Sequence, residues 1–131
     1  MSSRSSSPRQ AGSPAPPQTP SRPEHWEADA GDADVAQLSI PPDLYRDRRF
    51  EVFCTLSVDS GGRDGAWHAL RVLVNGSQEW QRREATQAHG RDSLDYRFRR
   101  VVPAGEPLRV VAATDVQGAR RVRLRITADE D

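Results

Sequence analysis

The chain has 131 residues, room for one domain. Its 19 arginines, with no lysine, balance 19 acidic residues, so bulk charge points to no particular partner. The single cysteine excludes an internal disulfide, and the absence of any run of about 18 apolar residues excludes a membrane-spanning helix.

Residues 1–34 differ from the rest. They hold six of the ten prolines, and Trp26 is their one large apolar side chain after Met1. Such a segment buries too little to offset the entropy of ordering it, so a disordered Pro/Ser-rich tail is expected over 1–34. Deleting it is expected to change the melting temperature little. Ser7-Pro8, Ser13-Pro14 and Thr19-Pro20 are kinase-type dipeptides that a low-complexity tail yields by chance. With no apolar leader at the N-terminus, the expected location is cytoplasmic.

From Val35 onward the hydropathy has period two, which predicts a domain over 35–131. Val35–Ile40 is a short strand stopped by Pro41-Pro42. In Arg49–Val58, Phe50, Val52, Cys54, Leu56 and Val58 face one way and charged or small polar side chains the other. Asp59–Gly65 is a loop. Trp67–Val74 alternates again, and Asn75-Gly76 predicts a two-residue type I′ hairpin into a return strand near Gln78–Glu84. Leu94, Tyr96 and Phe98 mark a further strand. Pro103-Ala104-Gly105 is a turn, Leu108–Ala112 a strand, Asp115–Gly118 a turn, and Val122, Leu124 and Ile126 the last strand before an acidic end, Thr127–Asp131. About seven strands with turns every 8–12 residues predict an all-β antiparallel sandwich or barrel. The expected core is Phe50, Val52, Leu56, Leu70, Val72, Leu108, Leu124 and Ile126.

Leu70-Arg71-Val72-Leu73-Val74-Asn75-Gly76 resembles the third strand and hairpin of bacterial immunoglobulin-like domains. Val102–Val110 is similar to their proline–glycine corner and penultimate strand, and Asp115–Gly118 with the final alternating strand to their last hairpin. The resemblance spans about residues 48–128. It implies an immunoglobulin-like antiparallel β-sandwich and no family active site, because this fold carries many unrelated functions.

Catalytic chemistry finds little support. Cys54 lies on an apolar strand face, where a thiol is inert. His25, His68 and His89 are isolated, there is no Gly-x-Ser-x-Gly elbow, and no zinc or EF-hand spacing is present. No enzyme, cofactor or metal is therefore expected.

Binding chemistry has two leads. Arg121, Arg123 and Arg125 alternate with apolar residues and so are expected on one face of the last strand, about 6.6–7 Å apart. Arg97 and Arg99 repeat the pattern, and Arg109 adds to it. If these strands adjoin, the arginines form a cationic surface for an acidic protein or, less strongly expected, a nucleic acid. The acidic segments Glu24–Asp34 and Asp129–Asp131 are placed to fold back and mask it. The second lead is Trp67 and Trp80, on the two arms of one hairpin, an arrangement suited to stacking on sugar rings. Val74–Trp80, in which three residues separate Gly76 from Trp80, also faintly resembles the Gly-x-x-x-x-Trp stretch of starch-binding modules. The leading expectation is an interaction module with an arginine face; a carbohydrate-binding module and a self-associating structural sandwich are the alternatives.

Overall fold

The computed structural model describes residues 22–131. The expectations for residues 1–21, including the Ser-Pro and Thr-Pro dipeptides, lie outside the described residues. Alternation of apolar and polar side chains becomes eight strands, in chain order β1 (His25–Gly31), β2 (Val35–Ile40), β3 (Arg48–Asp59), β4 (Trp67–Val74), β5 (Ser77–Ala85), β6 (Arg91–Val102), β7 (Leu108–Gln117) and β8 (Arg120–Glu130). They form two antiparallel four-stranded sheets, ordered β1-β8-β3-β6 and β2-β7-β4-β5. The eight predicted core residues are all buried, together with Ile40, Val58, Val110 and the Cys54 thiol. The expected all-β antiparallel sandwich is therefore present.

Three details differ from the sequence reading. The strands number eight rather than seven, because His25–Gly31 pairs with β8 instead of belonging to a tail. Its inward residues Trp26, Ala28 and Ala30 pack against the core. The acidic end likewise continues β8 as far as Glu130. The third detail is connectivity. Each strand of the first half pairs with its mirror in the second: β1 with β8, β2 with β7, β3 with β6 and β4 with β5. Only β4 and β5 are both consecutive in sequence and neighbours in a sheet. Such an order is that of two nested Greek keys, a jelly roll. It shares the sandwich architecture of immunoglobulin domains but not their order, in which neighbouring strands run A-B-E-D and C-F-G.

Asn75-Gly76 is the tip of this rolled hairpin. The pair joins Val74 to Ser77 with φ of 49° and 87°, the two positive angles a type I′ turn needs. The Asn75 side chain accepts a hydrogen bond from the Arg109 amide (2.8 Å), which ties the tip to β7. A Cβ on Gly76 would meet no atom within 4 Å. Gly76→Val is therefore expected to cost more than about 1 kcal/mol through backbone strain alone, measured by chemical denaturation; an unchanged midpoint would contradict the turn.

A cluster of charges fastens β1 to the domain. Arg48, 4% exposed, donates to Glu24 (2.9 Å) and to the Pro41 carbonyl (2.8 Å). Arg46 bridges Glu24 (3.0 Å), Asp43 (3.2 Å) and Glu130. The Trp26 indole N–H donates to Glu24 (2.9 Å). The hydrogen bond from Arg46 holds the Glu130 carboxyl below the usual range, against an opposing push from burial.

Candidate functional site

The outer face of the first sheet carries four of the six candidate arginines, each facing a carboxylate. Arg123 reaches Asp29 (2.5 Å) and Arg125 reaches Glu27 (3.2 Å), both acids coming from β1. Arg97 lies 3.7 Å from Glu51 and spreads over the Phe53 ring, and Arg99 is 4.0 Å from Asp131. Hydrogen bonds from Arg123 and Arg125 hold Asp29 and Glu27 below the usual carboxylate range. Within the Glu24–Asp34 segment, His25–Gly31 thus lies beside β8 as a strand and pairs its acids with the β8 arginines, so the face is charge-laced rather than cationic.

The six arginines are not brought together. β3 lies between β8 and β6, so Arg123 and Arg125 are a strand apart from Arg97 and Arg99. Arg121 does not share their face. Between Arg123, opposite Ser57, and Arg121, opposite Val58, β8 holds one extra residue, Val122. This β-bulge turns Arg121 to the inner side, where it donates to the Thr114 hydroxyl (2.7 Å) and carbonyl (3.2 Å) of the second sheet. Arg109 is on the other sheet altogether, exposed on β7.

The two tryptophans are also separated. A second bulge, at Glu79, precedes Trp80, which is partly buried and stacks on Tyr96 of the first sheet with ring centroids 4.5 Å apart and planes 7° from parallel. Trp80 therefore bridges the two sheets as part of the packing. Trp67 stands on the outer face of β4, as expected from its alternation with Leu70 and Val72, with the Arg83 guanidinium 4.6 Å from its ring centroid.

Trp67 borders the feature that sequence reasoning missed. The outer face of the second sheet holds a hollow of about 690 Å³, lined by Trp67, Ala69, Arg71, Gln81, Arg83 and Asp115 among others. Register explains its shape. One rung across the sheet reads Asp115, Ala69, Arg83, and the next reads Ala113, Arg71, Gln81. Two alanines lie where larger side chains would fill the face, so the long polar side chains around them become walls. The signal was in the sequence as small residues at outward positions of central strands, which carry no functional motif. A second hollow of about 680 Å³ lies by Asn75, Pro107 and Arg109.

Reactive groups are buried. Burial pushes the Cys54 thiol up to about 12. His68 is fully buried and shares a 2.7 Å hydrogen bond with Thr86. Among the described residues no three His, Cys, Asp or Glu side chains gather as a metal-binding group, and no helix is long and apolar enough to cross a membrane.

No protein-family model matches the chain, and no curated protein does. Among solved structures it is similar to dimeric latent PorU from Porphyromonas gingivalis, with a TM-score of 0.50 and 10% sequence identity over 83% of this chain. The chain spans 13% of the length of that PorU chain, and at this identity the similarity is one of fold.

Proposed function

We propose that this protein is a non-catalytic binding module that takes a carbohydrate ligand on the outer face of its second sheet. The observation that carries the reading is the 690 Å³ hollow floored by Ala69 and Ala113. Its volume is in the range of small-ligand sites, roughly 300–1,000 Å³. Beside the Arg83-covered indole its walls are guanidinium groups, an amide and a carboxylate, which suit the hydroxyls and polar groups of sugars. The alternative reading, an acidic protein on Arg97, Arg99, Arg123 and Arg125, is less favoured. Those arginines already face carboxylates, so an incoming acid would have to displace an intramolecular one.

Filling the hollow tests the proposal without touching the core. Ala69→Trp is expected to leave the melting temperature near that of the parent and to weaken glycan binding at least about 10-fold on an array followed by calorimetry. An array without a hit, or undiminished binding by Ala69→Trp, overturns it.

A further inference from the structure

We infer that the ligand is an acidic saccharide whose carboxylate is held by Arg71 and Arg83, an assignment that rests on the outer face of the second sheet being a carbohydrate site. It starts from a contrast between the two sheets. On the outer face of the first, Arg91, Arg97, Arg99, Arg123 and Arg125 each lie within 4.0 Å of a carboxylate. On the outer face of the second, Arg71 and Arg83 appear in no ion pair among the described residues. Asp115 borders the same hollow and likewise appears in no ion pair among the described residues. On the first sheet Arg49 alone of the outward arginines is left out of such pairs among the described residues, and it borders no hollow; on the second the unpaired charges surround one.

The register explains why they stay open. Arg83 and Asp115 occupy one rung with Ala69 between them, two strand spacings apart, roughly 9–10 Å. A methyl floor of that width leaves the opposed charges separated and gives a six-membered sugar ring room to lie between them. Arg71 is in the next rung beside Gln81, on the strand adjoining Arg83. Both guanidinium groups can therefore converge on one anionic group from neighbouring strands.

Trp67 prepares one of them. With the Arg83 guanidinium carbon 4.6 Å from its ring centroid, the indole limits the rotamers of that side chain. A planar guanidinium already fixed in orientation offers a carboxylate two parallel N–H donors at reduced entropic cost. Trp67 is thus a positioning residue for Arg83 and leaves its stacking face to the protein's own arginine.

Asp115 and Gln81 narrow the class. A carboxylate in the wall repels a plain anion but accepts hydrogen bonds from hydroxyl groups, and the Gln81 amide donates and accepts. The complementary ligand presents an acidic group at one end and hydroxyl donors at the other. Uronic and sialic acids have that pattern; an acidic peptide has the charge without the hydroxyls.

Calorimetry on the full chain decides the matter, with oligosaccharides containing galacturonate, glucuronate or sialate, each beside its carboxyl-reduced form, and polyglutamate as an acid lacking hydroxyls. At least one acidic oligosaccharide is expected to bind, with its reduced form at least about 10-fold weaker. Arg71→Gln and Arg83→Gln are each expected to abolish that preference, weakening the acidic form far more than the reduced form, and Arg123→Gln to leave the preference intact. Trp67→Ala is expected to weaken binding of the acid alone, and Trp67→Phe to restore part of it. Equal affinity for acidic and reduced forms, equally tight polyglutamate, or unaltered binding by both arginine variants overturns the assignment. Binding of neutral sugars only, still sensitive to Ala69→Trp, overturns it and leaves the carbohydrate site standing. No binding of any sugar removes both.

Discussion

A chain lacking residues 1–34 is expected to melt more than about 10 °C below one that begins at Arg22. The shorter chain loses β1, and with it six residue pairs to β8 and the packing of Trp26, Ala28 and Ala30 on the core. It also loses Glu24, the only carboxylate among the described residues that pairs with Arg48. Leaving a buried charge without its partner costs roughly 3–5 kcal/mol. In a domain of this size each kcal/mol is worth roughly 4–8 °C, so this one loss is sufficient. The chain beginning at Arg22 retains every contact described here and is the proper reference. Glu24→Ala in the full chain is expected to reproduce much of the drop, because Arg48 loses its carboxylate, keeping only the Pro41 carbonyl, and the Trp26 N–H loses its acceptor. Calorimetric melting of the three proteins checks this; a truncated domain melting within a few degrees of the reference would show that β1 is dispensable.

Leu124→Ala is expected to destabilise by about 2–5 kcal/mol in chemical denaturation, through lost transfer energy plus the cavity left behind. Leu124 is fully buried and sits opposite Leu56 of β3. Its neighbour Arg123 points outward, and its pair with Asp29 is exposed to water on both sides. Arg123→Ala is expected to cost a small fraction of that, since exposed pairs contribute little. Arg121→Ala falls between the two, because its partner Thr114 is buried. Equal costs at 123 and 124 would mean that the strand alternation is misassigned.

Strand alternation and the Asn75-Gly76 turn were legible because each is a local statement. Phe50, Val52, Leu56, Leu124 and Ile126 declare their face by spacing alone, and Asn-Gly declares its φ angles. β1 was hidden because its inward residues after Trp26 are alanines, which pack at a sheet edge without raising hydropathy. Its charges held a clue. Glu27 and Asp29 are spaced by two, matching Arg125 and Arg123, as cross-strand pairs require. The fate of Arg121 was not legible, since an inserted residue such as Val122 leaves no mark on alternation until its partner strand is known. Strand order was equally hidden: period two says which residues face inward but not which strand lies alongside. That is why the arginine rows, readable one by one, did not assemble into one surface. The hollow escaped for a related reason. Ala69 and Ala113 are unremarkable apart and form a floor only because β4 and β7 are neighbours.

The mirror pairing of the strands also bears on how the chain reaches its native state. β4 and β5 can meet as soon as Asn75-Gly76 forms, on the microsecond scale of hairpins. Every other pair must close a progressively longer loop, ending with His25 against Asp129. Folding that depends on such distant partners belongs to the slow, millisecond-to-second class. During synthesis β1 is made before the other seven strands yet waits for β8, the last of the eight. Until then the acidic strand has no arginine partners and the edge it will cover does not exist. The charges on β1 thus keep a prematurely exposed strand soluble before they serve as its address on the sheet.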